Sequence, residues 1–98
     1  MFEISMGEQG QVVMSGRLDA AQCDRALQFF DGVARPHVVD LGGLEYISSA
    51  GLGVLLKTQK RAMAAGQGLR LVNVNRHIRD IFRFAGFDKI FEVVPAAD

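Results

Sequence analysis

From His37 onward, short β-branched runs and helical stripes take turns, and this alternation restricts the fold more than any single residue does. His37-Val38-Val39-Asp40-Leu41, bounded by Pro36 and Gly42-Gly43, reads as a central strand. From Ala50 the spacing turns helical, with Leu52, Leu55, Leu56, Gln59 and Met63 on one face until Gly66-Gln67-Gly68 stops it. Leu69-Arg70-Leu71-Val72-Asn73 is the next strand, and Asn75 the next helix cap. Ile78, Ile81, Phe82 and Ala85 form the buried face of that helix, and Gly86 stands just past its end. Ile90-Phe91-Glu92-Val93-Val94 is a last short strand before Pro95. Strands that alternate with helices are joined by crossovers and pair in parallel.

The first third reads differently. Phe2-Glu3-Ile4-Ser5-Met6 alternates apolar and polar, Gly7-Glu8-Gln9-Gly10 supplies turn residues, and Gln11-Val12-Val13-Met14 follows, which predicts a hairpin. Gly16-Arg17-Leu18-Asp19 interrupts the pattern, with Asp19 placed to cap a helix through its carboxylate. Cys23, Ala26, Leu27 and Phe30 share one face of that helix, and Gly32 and Pro36 mark its end. The expectation is an α/β fold: a single small domain over residues 1–98, a mixed β-sheet with helices packed against it, in the order ββαβαβαβ. A chain of 98 residues holds one hydrophobic core, and 49% hydrophobic residues provide enough apolar surface to exclude intrinsic disorder.

Charge and cysteine content exclude several functions. Eleven basic and eleven acidic side chains cancel, whereas nucleic-acid binders carry a basic excess, so no nucleic-acid partner is expected. The neutral total conceals a division: residues 1–48 hold seven acids against three arginines, and residues 49–98 eight bases against four acids. Arg76, Arg79 and Arg83 form a basic stripe that reads as a solvated helix face. Cys23 alone can close no intramolecular disulfide and, lying on an apolar face, reads as inert packing. No apolar run reaches the roughly 18 to 20 residues of a membrane span, and Met1-Phe2-Glu3-Ile4 lacks the features of a signal peptide. These readings predict a cytoplasmic protein with no membrane insertion.

Chemistry is sought where the central strand runs through a polar loop into a helix: Gly42-Gly43-Leu44-Glu45-Tyr46-Ile47-Ser48-Ser49-Ala50-Gly51-Leu52-Gly53. The nucleophile elbow G-x-S-x-G fails, because Ile47 stands where the first glycine is needed. The dinucleotide pattern G-x-G-x-x-G fails at Leu56. No Walker A lysine pattern is present, and no His, Cys or acid pair has metal-ligand spacing. His37 and His77 each open an element, where solvent exposure suffices to explain them. A non-enzyme with no metal and no cofactor is expected. Two readings of the serines stand. Ser48 or Ser49 caps the helix, or one of them accepts phosphate beside the positive helix end.

Gly16-Arg17-Leu18-Asp19, Val38-Val39-Asp40-Leu41 and Tyr46-Ile47-Ser48-Ser49-Ala50-Gly51-Leu52 resemble the STAS domain family, and most of all its bacterial anti-sigma factor antagonists. Gly68-Leu69-Arg70-Leu71-Val72-Asn73 and Phe84-Ala85-Gly86-Phe87 continue the likeness, so it covers nearly the whole chain. Members typically carry Asp-Ser-Ser/Thr-Gly-Leu with the first serine as phosphoacceptor, and aligning Gly51-Leu52 places that serine at Ser49. Here Ser48 replaces the acid and is a competing acceptor, while Ala50 replaces the second hydroxyl. Many relatives continue past the last strand into a final helix.

The resemblance implies partner switching. The unphosphorylated antagonist binds a GHKL-type serine kinase that acts as an anti-sigma factor, phosphorylation breaks the complex, and a PP2C-type phosphatase resets it. It implies a docking surface of Ser48, Ala50, Gly51, Leu52 and Gly53, with Asp19 and Asp40 at the family's acidic positions near the loop. The alternative is a non-switching STAS adaptor subunit of a larger assembly such as a lipid-transport ATPase complex.

Overall fold

Alternation along Phe2–Met6 (β1) buries Phe2 and Ile4 and leaves Glu3 and Ser5 in solvent. The chain continues through β2 (Val12–Leu18), α1 (Cys23–Asp31), β3 (Val38–Ile47), α2 (Ser49–Ala64), β4 (Arg70–Val74), α3 (Arg76–Phe84) and β5 (Glu92–Pro95). Short 3₁₀ turns at Ala20–Gln22 and Phe87–Lys89 precede α1 and β5. This computed structural model describes residues 1–97. The sheet order is β1-β2-β3-β4-β5. The β1–β2 hairpin is antiparallel and the three other pairings are parallel, so the sheet is mixed as expected.

Because β2 to β5 lie side by side in chain order, right-handed crossovers carry all three helices to one face. The strands agree: Val12, Met14, Val39, Leu41, Leu71 and Val74 are buried, while Asp40 and Asn73 lie on the other face with partly exposed Val13 and Val72. The core therefore sits between one sheet face and the helices, with Phe30, Leu55, Ile78 and Phe82 contributed from above. Phe87 stacks on Phe82 at 5.5 Å between centroids and meets Phe91 at 5.0 Å, which fastens the second 3₁₀ turn to α3.

Several boundaries differ from the sequence reading. β2 does not stop near Met14 but runs to Leu18, because Gly16 at φ 83° keeps the strand going through a register shift. A side chain there would also collide with the Met1 carbonyl. The predicted polar loop after Leu41 is strand as far as Ile47: Ser15 pairs with Gly43, Arg17 with Tyr46 and Leu18 with Ile47. Pairing with the longer β2 holds Gly42-Gly43 extended where local propensity predicts a turn.

Asp19 opens the first 3₁₀ turn, not α1, and its carboxylate makes no cap bond; Gln22 N donates to the Asp19 backbone carbonyl instead, at 3.1 Å. Met63 and Ala85, whose spacing predicts burial, are exposed, each lying at a helix end beyond the covered sheet. The last strand begins at Glu92, since Phe91 is buried by the aromatic cluster before pairing starts. His37 is not explained by exposure: it is partly buried, with Nδ1 2.8 Å from the Gly68 carbonyl. Asn75 and Gly86 (φ 75°) take their expected places around α3.

Candidate functional site

Two parallel strands end side by side at Leu18 and Ile47, and the chain after Ile47 turns directly into α2. The Leu18 carbonyl accepts twice, from Ser48 N at 2.9 Å and from Ser48 Oγ at 3.1 Å. Ser48 Oγ in turn accepts from Gly51 N at 3.1 Å, which satisfies one of the orphan amides of the first turn. The single proton of the Ser48 hydroxyl is therefore committed to the Leu18 carbonyl, and its oxygen holds the first turn of α2. Ser49 is the first helical residue and is exposed, as is Ala50. Of the two serines, one builds the helix start and the other presents a hydroxyl to solvent at its positive end.

Gly51 is buried beneath this corner. A Cβ there would lie 2.8 Å from Ile47 Cγ1 and 3.0 Å from the Leu18 carbonyl. Gly51 is thus buried against Ile47 and Leu18 and shapes the site from below. Leu52 is partly buried against the core. Gly53 faces open space: a Cβ added there would meet nothing within 4 Å. Ala50, Gly53 and Lys57 follow one another along α2 and line a shallow groove of about 230 Å³ with Cys23, Asp24 and Leu27 of α1. The sequence reading does not place Leu27 and Lys57 at the site; their helical spacing relative to Cys23 and Ala50 is the signal that could have done so.

The two expected acids part company. Asp19 adjoins Leu18 at the site, and its Oδ1 is buried without a hydrogen-bond partner among the described residues. Its backbone carbonyl accepts from Cys23 Sγ at 3.3 Å. Asp40 lies on the uncovered face of β3, roughly 20 Å from Ile47 at about 3.3 Å per strand residue. There its carboxylate accepts from Gly42 N at 2.8 Å and from Asn73 Nδ2 at 2.9 Å. Asn73 adopts φ 55°, so this bond secures an irregular turn of β4 rather than the serine corner.

Burial pushes the Cys23 thiol above its ordinary pKa; the Asp19 and Asp24 carboxylates push the same way, against the Ser48 hydroxyl. A protonated thiol is a poor nucleophile, in keeping with packing as its role. Among the described residues no three His, Cys, Asp or Glu side chains gather as metal ligands. No helix among them is long and apolar enough to cross a membrane.

Residues 3–95 match the family described as Mlab, STAS domain. The chain belongs to the STAS domain family. It is 39% identical over 87 residues to BtrV of Bordetella bronchiseptica, named as an anti-sigma factor antagonist; the match covers 89% of this chain and 74% of BtrV. Among solved structures, an anti-sigma factor antagonist from Mycobacterium paratuberculosis superposes with a TM-score of 0.81 at 24% identity, covering 97% of this chain and 85% of that one. The anti-sigma factor antagonist SpoIIAA in its unphosphorylated form gives 0.73 at 21% identity, covering 95% and 87%. The Bacillus cell fate determinant SpoIIAA in its phosphorylated form gives 0.64 at 20% identity, covering 95% and 90%. These structures share the fold of the mixed five-stranded sheet with helices described above. The likeness to BtrV makes this an anti-sigma factor antagonist-like STAS protein.

Proposed function

We propose that this STAS domain, read as residues 1–98, is a phosphorylation-controlled partner switch. Unphosphorylated, it docks the start of α2 on a GHKL-type serine kinase that serves as an anti-sigma factor. Phosphate on Ser49 breaks that complex, and a PP2C-type phosphatase restores it. The observation that carries this reading is the division of labour between the serines: Ser48 Oγ is bonded to Gly51 N and the Leu18 carbonyl, whereas Ser49 is exposed at the first helical position. A phosphate there meets the positive end of α2, so the fold tolerates it. The same dianion cannot be buried against a partner without a large desolvation cost. A loss of about 3 kcal/mol already exceeds a hundredfold in affinity. Likeness to BtrV supports the partner class, and the solution of SpoIIAA in both phosphorylation states supports the mechanism. Exposed Ala50 and half-buried Gly53 form the low-relief part of the docking surface, with Leu52 and Asp19 at its edge.

The test incubates the chain with its kinase and ATP, maps phosphate by peptide mass spectrometry, and measures kinase affinity of Ser49→Asp. Phosphate on Ser49 and an affinity more than about a hundredfold weaker are expected. Phosphate confined to Ser48, or a Ser49→Asp protein that binds as well as the parent, would sink the assignment. A second reading, a permanent adaptor within a larger assembly such as a lipid-transport ATPase complex, is favoured by Ser48: the hydroxyl in the place of the motif's acid serves wholly as a cap. It predicts no phosphate at either serine in native cells under any growth condition.

A further inference from the structure

The groove between α1 and α2 leads away from Ser49, and its two walls carry opposite charges that do not pair. The helices run side by side in one direction. Cys23 meets Ser48 where they begin, and Arg61 of α2 donates to the Phe30 and Val33 carbonyls where α1 ends. Asp24 lines the groove on the α1 wall and Lys57 on the α2 wall, with Leu27 and Gly53 also lining it. Both charged side chains are exposed, and the ion pairs among the described residues are Arg25–Glu3 and Arg70–Glu92. Asp24 stands at the Ser48 end. Lys57 lies seven residues beyond Ala50, about 10 Å farther along α2.

Packing does not require glycine at position 53. The residue is inside α2, its φ is not positive, and a Cβ would meet nothing within 4 Å. Glycine inside a helix is less stable than alanine, so the fold gives up stability to keep this part of the groove clear. Space kept open in this way points to something that enters it. The groove holds about 230 Å³, below the roughly 300 Å³ at which small-molecule pockets begin, so it fits a side chain better than a free ligand. A helix supplies side chains at the matching spacing. Its residues i, i+3 or i+4 and i+7 share one face and span about 10 Å, the distance from Ala50 to Lys57. Side chains on one face of a strand repeat at about 7 Å, out of step with that distance.

We propose that this groove selects the switch partner: a helix of the kinase sets an apolar side chain over Gly53 against Leu27, a basic side chain beside Asp24 and a carboxylate beside Lys57. The inference rests on the partner-switch reading and adds Asp24, Leu27 and Lys57 to it as specificity-determining residues. With one sign of charge fixed at each end, the helix binds in a single direction. A kinase whose helix has the reverse charge order meets like charges at both ends and is rejected. A second copy of this chain is the poorer occupant, because two grooves laid face to face leave both unfilled.

The test measures, by calorimetry, affinity for the serine kinase that binds the parent protein, with urea unfolding of every variant alongside. Exchanging the two charges, Asp24→Lys with Lys57→Glu, leaves the net charge at +0 and so separates local pairing from the charge of the whole molecule. The exchange should weaken binding by more than about tenfold, whereas Lys57→Arg should bind as the parent does. Gly53→Leu should weaken binding about tenfold while raising the urea midpoint, since leucine favours the helix. Parent-like affinity in both the exchange and Gly53→Leu, with Ser49→Asp still released, would overturn this inference and leave the switch standing. A parent protein that binds no serine kinase would sink both. A Gly53→Leu protein less stable than the parent would also overturn it, because glycine would then be kept for packing. So would sedimentation showing that the free protein pairs and that the charge exchange abolishes pairing, by making a second copy the occupant.

Discussion

The starts of α2 and α3 are built alike and exposed differently. Each follows a strand of the same parallel sheet, and each is capped by a side chain that accepts from the third helical amide: Ser48 from Gly51 N, Asn75 from Ile78 N at 2.9 Å. Each cap also donates to a carbonyl of a strand, Ser48 Oγ to Leu18 and Asn75 Nδ2 to Leu44 at 2.8 Å. Beyond the caps the likeness ends. α2 opens with Ser49 and Ala50 above a buried glycine, and α3 opens with Arg76 and His77 above a fully buried isoleucine. A capped helix end is thus a structural device, and the residues around it decide whether anything can dock or be modified there. At α2 the first two residues are small and uncharged; at α3 a guanidinium already occupies the position nearest the positive end of the dipole.

The third helical residue should separate the two most. Ile78→Ala leaves a cavity under α3 and should lower stability by about 2 to 5 kcal/mol. Gly51→Ala, although it adds only a methyl, presses on Ile47 and Leu18 and should lower stability by about 1 to 3 kcal/mol. Urea unfolding of both variants checks this, and a stabilised Gly51→Ala protein would show that the α2 start is looser than described. Next in size are the caps. Ser48→Ala and Asn75→Ala each remove a cap bond and a strand bond, and should each cost about 1 to 2 kcal/mol. If only one of them did so, the two starts would not be equivalent in construction.

Charge at the first helical residue gives a smaller effect. Ser49→Asp should raise the unfolding free energy by about 0.3 to 1 kcal/mol at low salt, and Arg76→Asp by more, since it also removes an unfavourable positive charge. Both gains should shrink when salt is added; a destabilised Ser49→Asp protein would mean that repulsion from Asp19 and Asp24 outweighs the dipole. The smallest effect concerns Cys23, beside Ser48. Its raised pKa means that the fold disfavours the thiolate. The contribution is therefore fully present below the ordinary thiol value of about 8.5 and lost as pH rises through the higher folded value. Iodoacetamide should modify the native protein more slowly than the urea-unfolded chain at pH 8, and equal rates would contradict the burial.

Much of this is legible in the residues alone where local chemistry and tertiary packing agree. Asn75 followed by an apolar stripe and Gly86 after it mark α3 almost residue for residue, because caps and left-handed glycines act over three or four residues. The serine corner is legible as a place, through the strand, small residues and helix onset occurring together. Which serine caps is not, because Ser48 and Ser49 are chemically identical and adjacent. Only the Leu18 carbonyl, thirty positions away, selects Ser48 by accepting from its hydroxyl. The distance of Asp40 from the corner is hidden for a related cause: nearness in sequence says nothing when the intervening residues are extended.

The alternation of β-type and helix-type spacing determined the class of fold, the number and order of its elements, and the single core. These depend on periodicity and capping, which each segment carries within itself. Tertiary structure alone decided that Gly42-Gly43 would be strand and that Asp19 would leave its carboxylate uncapped. It also decided that Met63 and Phe84 would stay outside and that Ser49 would be the open hydroxyl. Each of these depends on a partner far along the chain, on the β2 edge, the Leu18 carbonyl or the limit of the covered sheet, and an amino-acid sequence records no distances between such partners.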